Sequence, residues 1–329
     1  MRIAFSIAII AAVFTAPAST EPIQQDSVFR SGARTVAVYV TVSDESGALV
    51  PSLGRDDFEV YDNGKRQTVT VFESGVQPIT IVLMLDRSGS MIGNFALVRS
   101  AAEQFVAQLL PGDKARIGSF ANRIQLDPRS FSTSQRDLIA ILRTELQEPG
   151  PTPLWNAVNV AITSLQHQEG RRVVLVFTDG IDRPMNSRSL SLNEVMKNAE
   201  EHDVMVFAIG LMGRTGVPGR GRRGGFGRNP GVGAIGSPGG IGQPPEFEKP
   251  DAGLPRIAAA TGGGYFELTS ANNLSATFRR VADELHRQYS LGFTPEKFDD
   301  KVHRLEVRLK RPGLKARARK TYVARKDVL

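Results

Sequence analysis

From Ile79 onward the chain alternates runs that are apolar on both faces with amphipathic segments of helical period, and this pattern restricts its fold more than any other feature. A strand without a wet face must be covered on both sides, as happens when helices cross over a parallel sheet. Strands are expected at Ile79–Leu85, Ala115–Phe120, Val173–Phe177, Val204–Ile209 and Tyr265–Leu268, with an extra hairpin strand near Ile124–Leu126. Phe95–Leu110 places Val98, Ala102, Phe105 and Leu109 on one helical face, and Leu274–Tyr289 does the same with Leu274, Phe278, Val281 and Leu285. Ser134–Glu145, Leu154–Gln166, Leu192–Glu201 and Pro255–Ala260 supply the remaining helices. The expectation is an α/β domain over residues 78–288, doubly wound around a mostly parallel sheet.

The flanks follow a different grammar. Val36, Val38, Val40 and Val42 alternate with Ala37, Tyr39 and Thr41, the period of a half-buried strand. Phe58 and Val60, then Asn63-Gly64, then Val69 and Val71 read as a hairpin. Beyond Tyr289, Leu305, Val307 and Leu309 alternate with Arg304, Glu306, Arg308 and Lys310, and Ala316 and Ala318 repeat the pattern opposite Arg317 and Arg319. Neither fragment has enough strands to stabilise itself, so residues 30–75 and 289–325 are expected to complete one small β-sandwich around the inserted α/β domain.

Met1-Arg2, the apolar run Ile3–Phe14 and Ala16-Pro17-Ala18 have the charged start, short apolar core and small-x-small end of a secretory signal peptide, cleaved after Ala18. The expected setting is a bacterial periplasm or the extracellular medium, with no transmembrane segment after cleavage. The chain has 0 cysteines, which excludes a disulfide framework, thiol nucleophiles and iron–sulfur chemistry. Its net charge of +7 is concentrated at the C-terminus, where residues 301–329 carry eleven Lys and Arg against Glu306 and Asp327. Gly213–Gly242 holds 13 glycines with Arg214, Arg220, Arg222, Arg223 and Arg228, too little apolar surface for a core, and is expected to be a flexible Gly/Arg-rich insertion spanning 213–249. Its Gly221–Arg228 stretch resembles an RGG-type RNA-binding segment, but export argues against nucleic acid as a partner.

At the end of the first α/β strand stands Asp86-Arg87-Ser88-Gly89-Ser90, whose side-chain oxygens at i, i+2 and i+4 converge if the loop wraps around a point. Asp179, in Phe177-Thr178-Asp179-Gly180, ends a second strand, and Thr152, in Gly150-Pro151-Thr152-Pro153, precedes a helix. Ligands of such sheets bind at the carboxyl ends of the strands. Five oxygen side chains without His or Cys select a hard cation, Mg²⁺ first and then Mn²⁺ or Ca²⁺. A tight turn with a helix N-cap explains Asp86–Ser90 taken alone, but not its company.

These positions resemble the metal-ion-dependent adhesion site (MIDAS) of von Willebrand factor A-type (vWA) domains, matching all five: Asp86, Ser88, Ser90, Thr152 and Asp179. The resemblance covers residues 78–288 and implies the Rossmann-like vWA fold. It also implies that Ser88, Ser90 and Thr152 coordinate Mg²⁺, that Asp86 and Asp179 hold its waters, and that a partner's Glu or Asp completes the shell. Asp57–Lys65 (DFEVYDNGK), Tyr289–Pro295 (YSLGFTP) and Arg304–Gly313 further resemble the bacterial VWFA-related domain family often seen in Acidobacteria.

Enzyme signals are weak. His167, His202, His286 and His303 have no nucleophile motif near them, and GxSxG, HExxH and Walker A motifs are absent. Asp182 and Trp155 read as a turn acid and a packed aromatic. The expectation is an exported, non-enzymatic protein–protein interaction or adhesion module acting through Mg²⁺. Its alternative is a protein that binds polyanions or membrane surfaces through the basic C-terminus, with the α/β domain as scaffold.

Overall fold

The computed structural model describes residues 35–144, 149–183, 189–214 and 247–326. The expected signal peptide, and all but the ends of the Gly/Arg-rich insertion, lie outside the described residues. In chain order the elements are β1 (Val36–Ser43), β2 (Phe58–Asp62), β3 (Lys65–Gln67), β4 (Val71–Glu73), β5 (Ile79–Asp86), α1 (Phe95–Val106), β6 (Lys114–Phe120), β7 (Ile124–Ser132), α2 (Gln135–Thr144), α3 (Leu154–Leu165), β8 (Arg171–Thr178), α4 (Leu192–Glu201), β9 (Val204–Leu211), β10 (Gly213–Arg214), β11 (Phe247–Glu248), α5 (Gly253–Thr261), β12 (Tyr265–Leu268), α6 (Leu274–His286), β13 (Tyr289–Phe293), β14 (Val302–Leu309), β15 (Lys315–Arg317) and β16 (Thr321–Val323).

The central sheet has six strands in the order β12-β9-β8-β5-β6-β7, parallel except for β7, which turns back antiparallel along β6. Every residue of β5 and β9 is buried, as two-sided coverage demands. On one face α1, α2 and α6 pack Val98, Phe105, Leu138, Phe278 and Leu285 against Ile81, Leu83, Leu175 and Phe207. On the other, α3, α4 and α5 pack Leu154, Ile162, Val195 and Leu254 against Val82, Val174 and Val206. The chain leaves β5 toward β6 on one side and returns to β8 on the other, so the sheet's direction of winding reverses between β5 and β8. At such a reversal the loops beyond the carboxyl ends of neighbouring strands part and leave a crevice.

The flanking segments pair as two four-stranded antiparallel sheets, β15-β1-β13-β4 and β16-β14-β2-β3, each built from both ends of the chain. Their inner faces share one core of Val38, Val40, Phe58, Val60, Tyr289, Leu291, Phe293, Leu305 and Tyr322. The α/β domain is thus inserted in a small β-sandwich.

Several elements differ from the sequence expectation. The Asn63-Gly64 turn forms, with φ of 49° and 83°, but a two-residue loop sets Lys65 opposite Asp62, so the second arm is Lys65–Gln67 rather than Val69–Val71. Val71 and Phe72 instead join β13 in the other sheet, where Phe72 packs against Phe58 and Tyr289. The last helix stops at His286, and Tyr289 starts a strand because its ring enters the sandwich core and its hydroxyl donates to the Val50 carbonyl at 2.6 Å. The first helix ends at Val106; the Asp113 carboxylate accepts from the Leu110 amide at 2.7 Å and fixes the following turn. Arg317 and Arg319 do not line a wet face. Arg317 pairs with Glu284 of α6, and Arg319 pairs with Asp203 and donates to the Ala37 carbonyl, so both reach across to the α/β domain.

Candidate functional site

The crevice between β5 and β8 is where the sequence candidates meet. Asp86, the last residue of β5, is fully buried. Its Oδ1 accepts from the Ser88 amide at 2.7 Å, and its Oδ2 accepts from the Thr178 hydroxyl at the end of β8. After Asp86 the chain enters a 3₁₀ turn, Gly89–Asn94, before α1. Ser88 stands at the N-cap of that turn, yet its side chain makes no capping bond. Its Oγ faces the Ser90 Oγ at 3.0 Å, and the Ser90 hydroxyl donates to Asp179 Oδ1 at 2.9 Å. A purely structural N-cap would have turned the Ser88 oxygen to the helix amides.

Thr152 is held to the same place by backbone. The Gly89 amide donates to the Gly150 carbonyl at 3.1 Å, and the Gly150 amide donates to the Arg87 carbonyl, which ties the Asp86–Ser90 loop to the Gly150–Pro153 loop. Gly150 is also pressed on the turn between β6 and β7, where a Cβ would lie 2.6 Å from the Asn122 amide nitrogen. On the far side, the Thr152 side chain lies against Gly180, next to Asp179, and the Arg183 amide donates to the Thr152 carbonyl at 2.8 Å. The structure therefore gathers Asp86, Ser88, Ser90, Thr152 and Asp179 around one crevice. Four of them are buried and Ser90 is exposed, so the set opens to solvent on one side.

Burial pushes the Asp86 carboxyl up to about 6; the hydrogen bonds from Thr178 and Ser88 oppose this and the charge of Asp179 adds to it. Two acids that share a crevice and raise each other's cost of ionisation are relieved by a cation between them. Both oxygens of Asp86 already accept a hydrogen bond, whereas Ser88, Ser90 and Thr152 offer neutral hydroxyl oxygens, those of Ser88 and Ser90 3.0 Å apart. That donor set suits a hard, oxygen-seeking ion. Among the described residues no cluster of three or more His, Cys, Asp and Glu could hold a metal, so a metal here depends on the hydroxyls.

Three supporting residues went unassigned from sequence or were read only locally. Thr178 sits in the Thr-Asp-Gly motif but has its own role, holding Asp86; the Gly180 amide also donates to its hydroxyl at 3.0 Å. Asp182 accepts from the Trp155 amide at 3.2 Å at the start of α3, and Trp155 is packed, as its residue type suggested. Asp251, 69 residues further along, accepts from the Asp182 amide at 3.1 Å, a contact with no local signature. The histidines lie elsewhere: His286 bonds Asp113 at 2.8 Å, and His303 bonds Asp62 at 2.8 Å and Asp299 at 3.1 Å.

Fold and site together define a doubly wound α/β domain with an oxygen-only site at its switch point. Residues 80–224 match the family of the von Willebrand factor type A domain, and the central α/β unit has the vWA fold. The match ends inside the Gly/Arg-rich segment, while the sheet continues to β12. A search of curated proteins finds no match. Among solved structures, the chain is similar to von Willebrand factor type A from Catenulispora acidiphila, at 11% identity over 92% of this chain and 78% of that one, with a TM-score of 0.48. It is also similar to an aerotolerance-related membrane protein from Bacteroides fragilis, at 18% identity over 63% of this chain and 99% of that one, with a TM-score of 0.44. Proximal thread matrix protein 1 from the mussel byssus, solved with a zinc-occupied MIDAS motif, is 17% identical over 69% of this chain and 50% of that one, with a TM-score of 0.48.

Proposed function

We propose that the chain is an exported, non-enzymatic protein-binding module. It holds a divalent cation, Mg²⁺ ahead of Mn²⁺ or Ca²⁺, on Asp86, Ser88, Ser90, Thr152 and Asp179, and through it takes a Glu or Asp side chain of a protein partner. The observation that carries this reading is the chain of hydrogen bonds from Asp86 through Ser88 and Ser90 to Asp179, with Ser90 exposed. When bound, the ion supplies a positive centre for an incoming carboxylate. The hydroxyls would provide neutral oxygens, while Asp86, engaged by Thr178 and Ser88, would act through water and leave the ion attractive to a carboxylate. Ile92 and Ile181, 59% and 43% exposed, follow Ser90 and Asp179 closely and offer apolar contact beside the acid-binding point.

In this reading residues 1–18 are a signal peptide removed on export to the periplasm or beyond. Residues 78–288 are the binding domain, interrupted at 213–249, and residues 30–75 and 289–325 are the sandwich that carries it. Among the described residues no helix is long and apolar enough to cross a membrane. The alternative, binding of polyanions or membrane surfaces through the basic C-terminus, is disfavoured because Arg308, Arg311, Arg317, Arg319 and Lys326 make ion pairs within the chain. The test is capture of partners from the source's envelope and secreted fraction on immobilised residues 19–329, with Mg²⁺, with EDTA and with Asp86→Ala. Retention by wild type with Mg²⁺ alone is expected. Retention indifferent to EDTA and to the substitution, but lost in high salt, would overturn the reading in favour of the basic surface.

A further inference from the structure

The loop that carries Asp179 leaves the end of β8. It is braced from two directions. On one side, Asp182 accepts from the Trp155 amide at 3.2 Å and the Arg183 amide donates to the Thr152 carbonyl at 2.8 Å, which fastens the loop to the start of α3. On the other side stands Asp251, just after β11. Its amide donates to the Gly180 carbonyl at 3.4 Å, and its Oδ2 accepts from the Asp182 amide at 3.1 Å, so it grips the main chain on both sides of Ile181. Its Oδ1 accepts from the Gly253 amide at 2.8 Å, which anchors it to the first turn of α5.

The brace closes on itself. Gly253 is pressed on the ring of Trp155, where a Cβ would lie 2.3 Å from the nearest ring carbon, and Trp155 is the residue whose amide holds Asp182. Asp251, Gly253, Trp155 and Asp182 thus form a circuit joining the loop of Asp179 to the loop of Thr152. The two carboxylate oxygens of Asp251 serve two different elements. An asparagine keeps one acceptor and turns an NH₂ on the other amide; an alanine keeps neither.

We infer that Asp251 is a positioning residue for the cation site: it sets Asp179 relative to Thr152 and thereby the affinity for the ion, without touching the ion. This rests on the proposed metal-binding reading. Groups that orient metal-binding residues from outside typically change affinity by about 10–100-fold when removed. For Asp251→Ala a loss of about tenfold is expected, at the low end because Asp182 and Arg183 still hold the loop, and a smaller loss for Asp251→Asn.

The test uses residues 19–329 with Mn²⁺ alone as the probe. Affinity is measured by calorimetry and the thermal midpoint is followed in EDTA. Weaker Mn²⁺ binding by Asp251→Ala at an unchanged midpoint in EDTA supports the inference, because a merely structural role would lower that midpoint and spare the affinity. If Asp251→Ala lowers the midpoint, Asp251→Asn is read instead, and wild-type affinity in that variant overturns the inference. Equal affinity of Asp251→Ala and wild type also overturns it while leaving the metal site standing. Failure of wild type itself to bind Mn²⁺ overturns the metal-binding reading and the inference together.

Discussion

Buried charge occurs at both ends of the central sheet, arranged in opposite ways. At the amino end, where the sheet meets the sandwich, the polar groups find partners within the chain: His286 hydrogen-bonds Asp113, and Arg317 pairs with Glu284. Arg171, 2% exposed, rests on the Leu285 carbonyl, Gln77, Ser290 and the ring of Tyr39. At the carboxyl end, two acids share a crevice with hydroxyls and amides, and burial with mutual repulsion raises Asp86. Polar groups partnered within the chain hold the fold, whereas in the proposed reading the acids at the carboxyl end are balanced by a bound cation.

That contrast breaks if a change at one end acts on the other. Asp113→Ala leaves His286 without its partner and two amides, of Ile79 and Leu110, without their acceptor. It is expected to lose about 3 kcal/mol of stability in denaturant titration, from buried donors left unsatisfied, with unchanged affinity for Mn²⁺. Asp86→Ala should do the reverse, folding but losing the stabilisation that bound ion confers, about 2.7 kcal/mol at a hundredfold excess over Kd, seen as a thermal midpoint that no longer rises with Mg²⁺. Gly150→Ala pushes on the Asn122 backbone beside the loop that carries Thr152; a cost of about 1–3 kcal/mol together with weaker Mn²⁺ binding is expected. Ile181→Ala sharpens the distinction between ion and partner: once a partner is captured, its affinity should fall about tenfold, or about 1.4 kcal/mol, by calorimetry, while affinity for the ion alone stays put. Lys310→Glu with Lys315→Glu should have the smallest effect, within about 0.5 kcal/mol in stability and without loss of Mg²⁺-dependent capture.

Much of this was legible in the sequence because it is local. The central strands announce themselves by apolar residues on both faces, and Leu192–Glu201 and Tyr265–Leu268 fall where their patterns put them. The candidate oxygens at 86, 88, 90, 152 and 179 could be named because short motifs at strand ends mark loops. The β3 arm and the end of α6 were misplaced because their boundaries are set by partners far away: Val71 and Phe72 leave the hairpin for β13, and Tyr289 leaves the helical pattern for the sandwich core.

By itself, then, the sequence determined the strands and helices of the α/β domain, though not all their ends, and which residue types stand at the strand ends, since periodicity and turn chemistry act over a few residues. Only the tertiary structure decided that Thr178 holds Asp86 across 92 positions, that Asp251 grips the loop of Asp179, and that Arg317 and Arg319 face the α/β domain rather than water. Those pairings follow from the order in which strands lie side by side, and hydrogen bonds between side chains distant in the chain leave no period for a sequence to display.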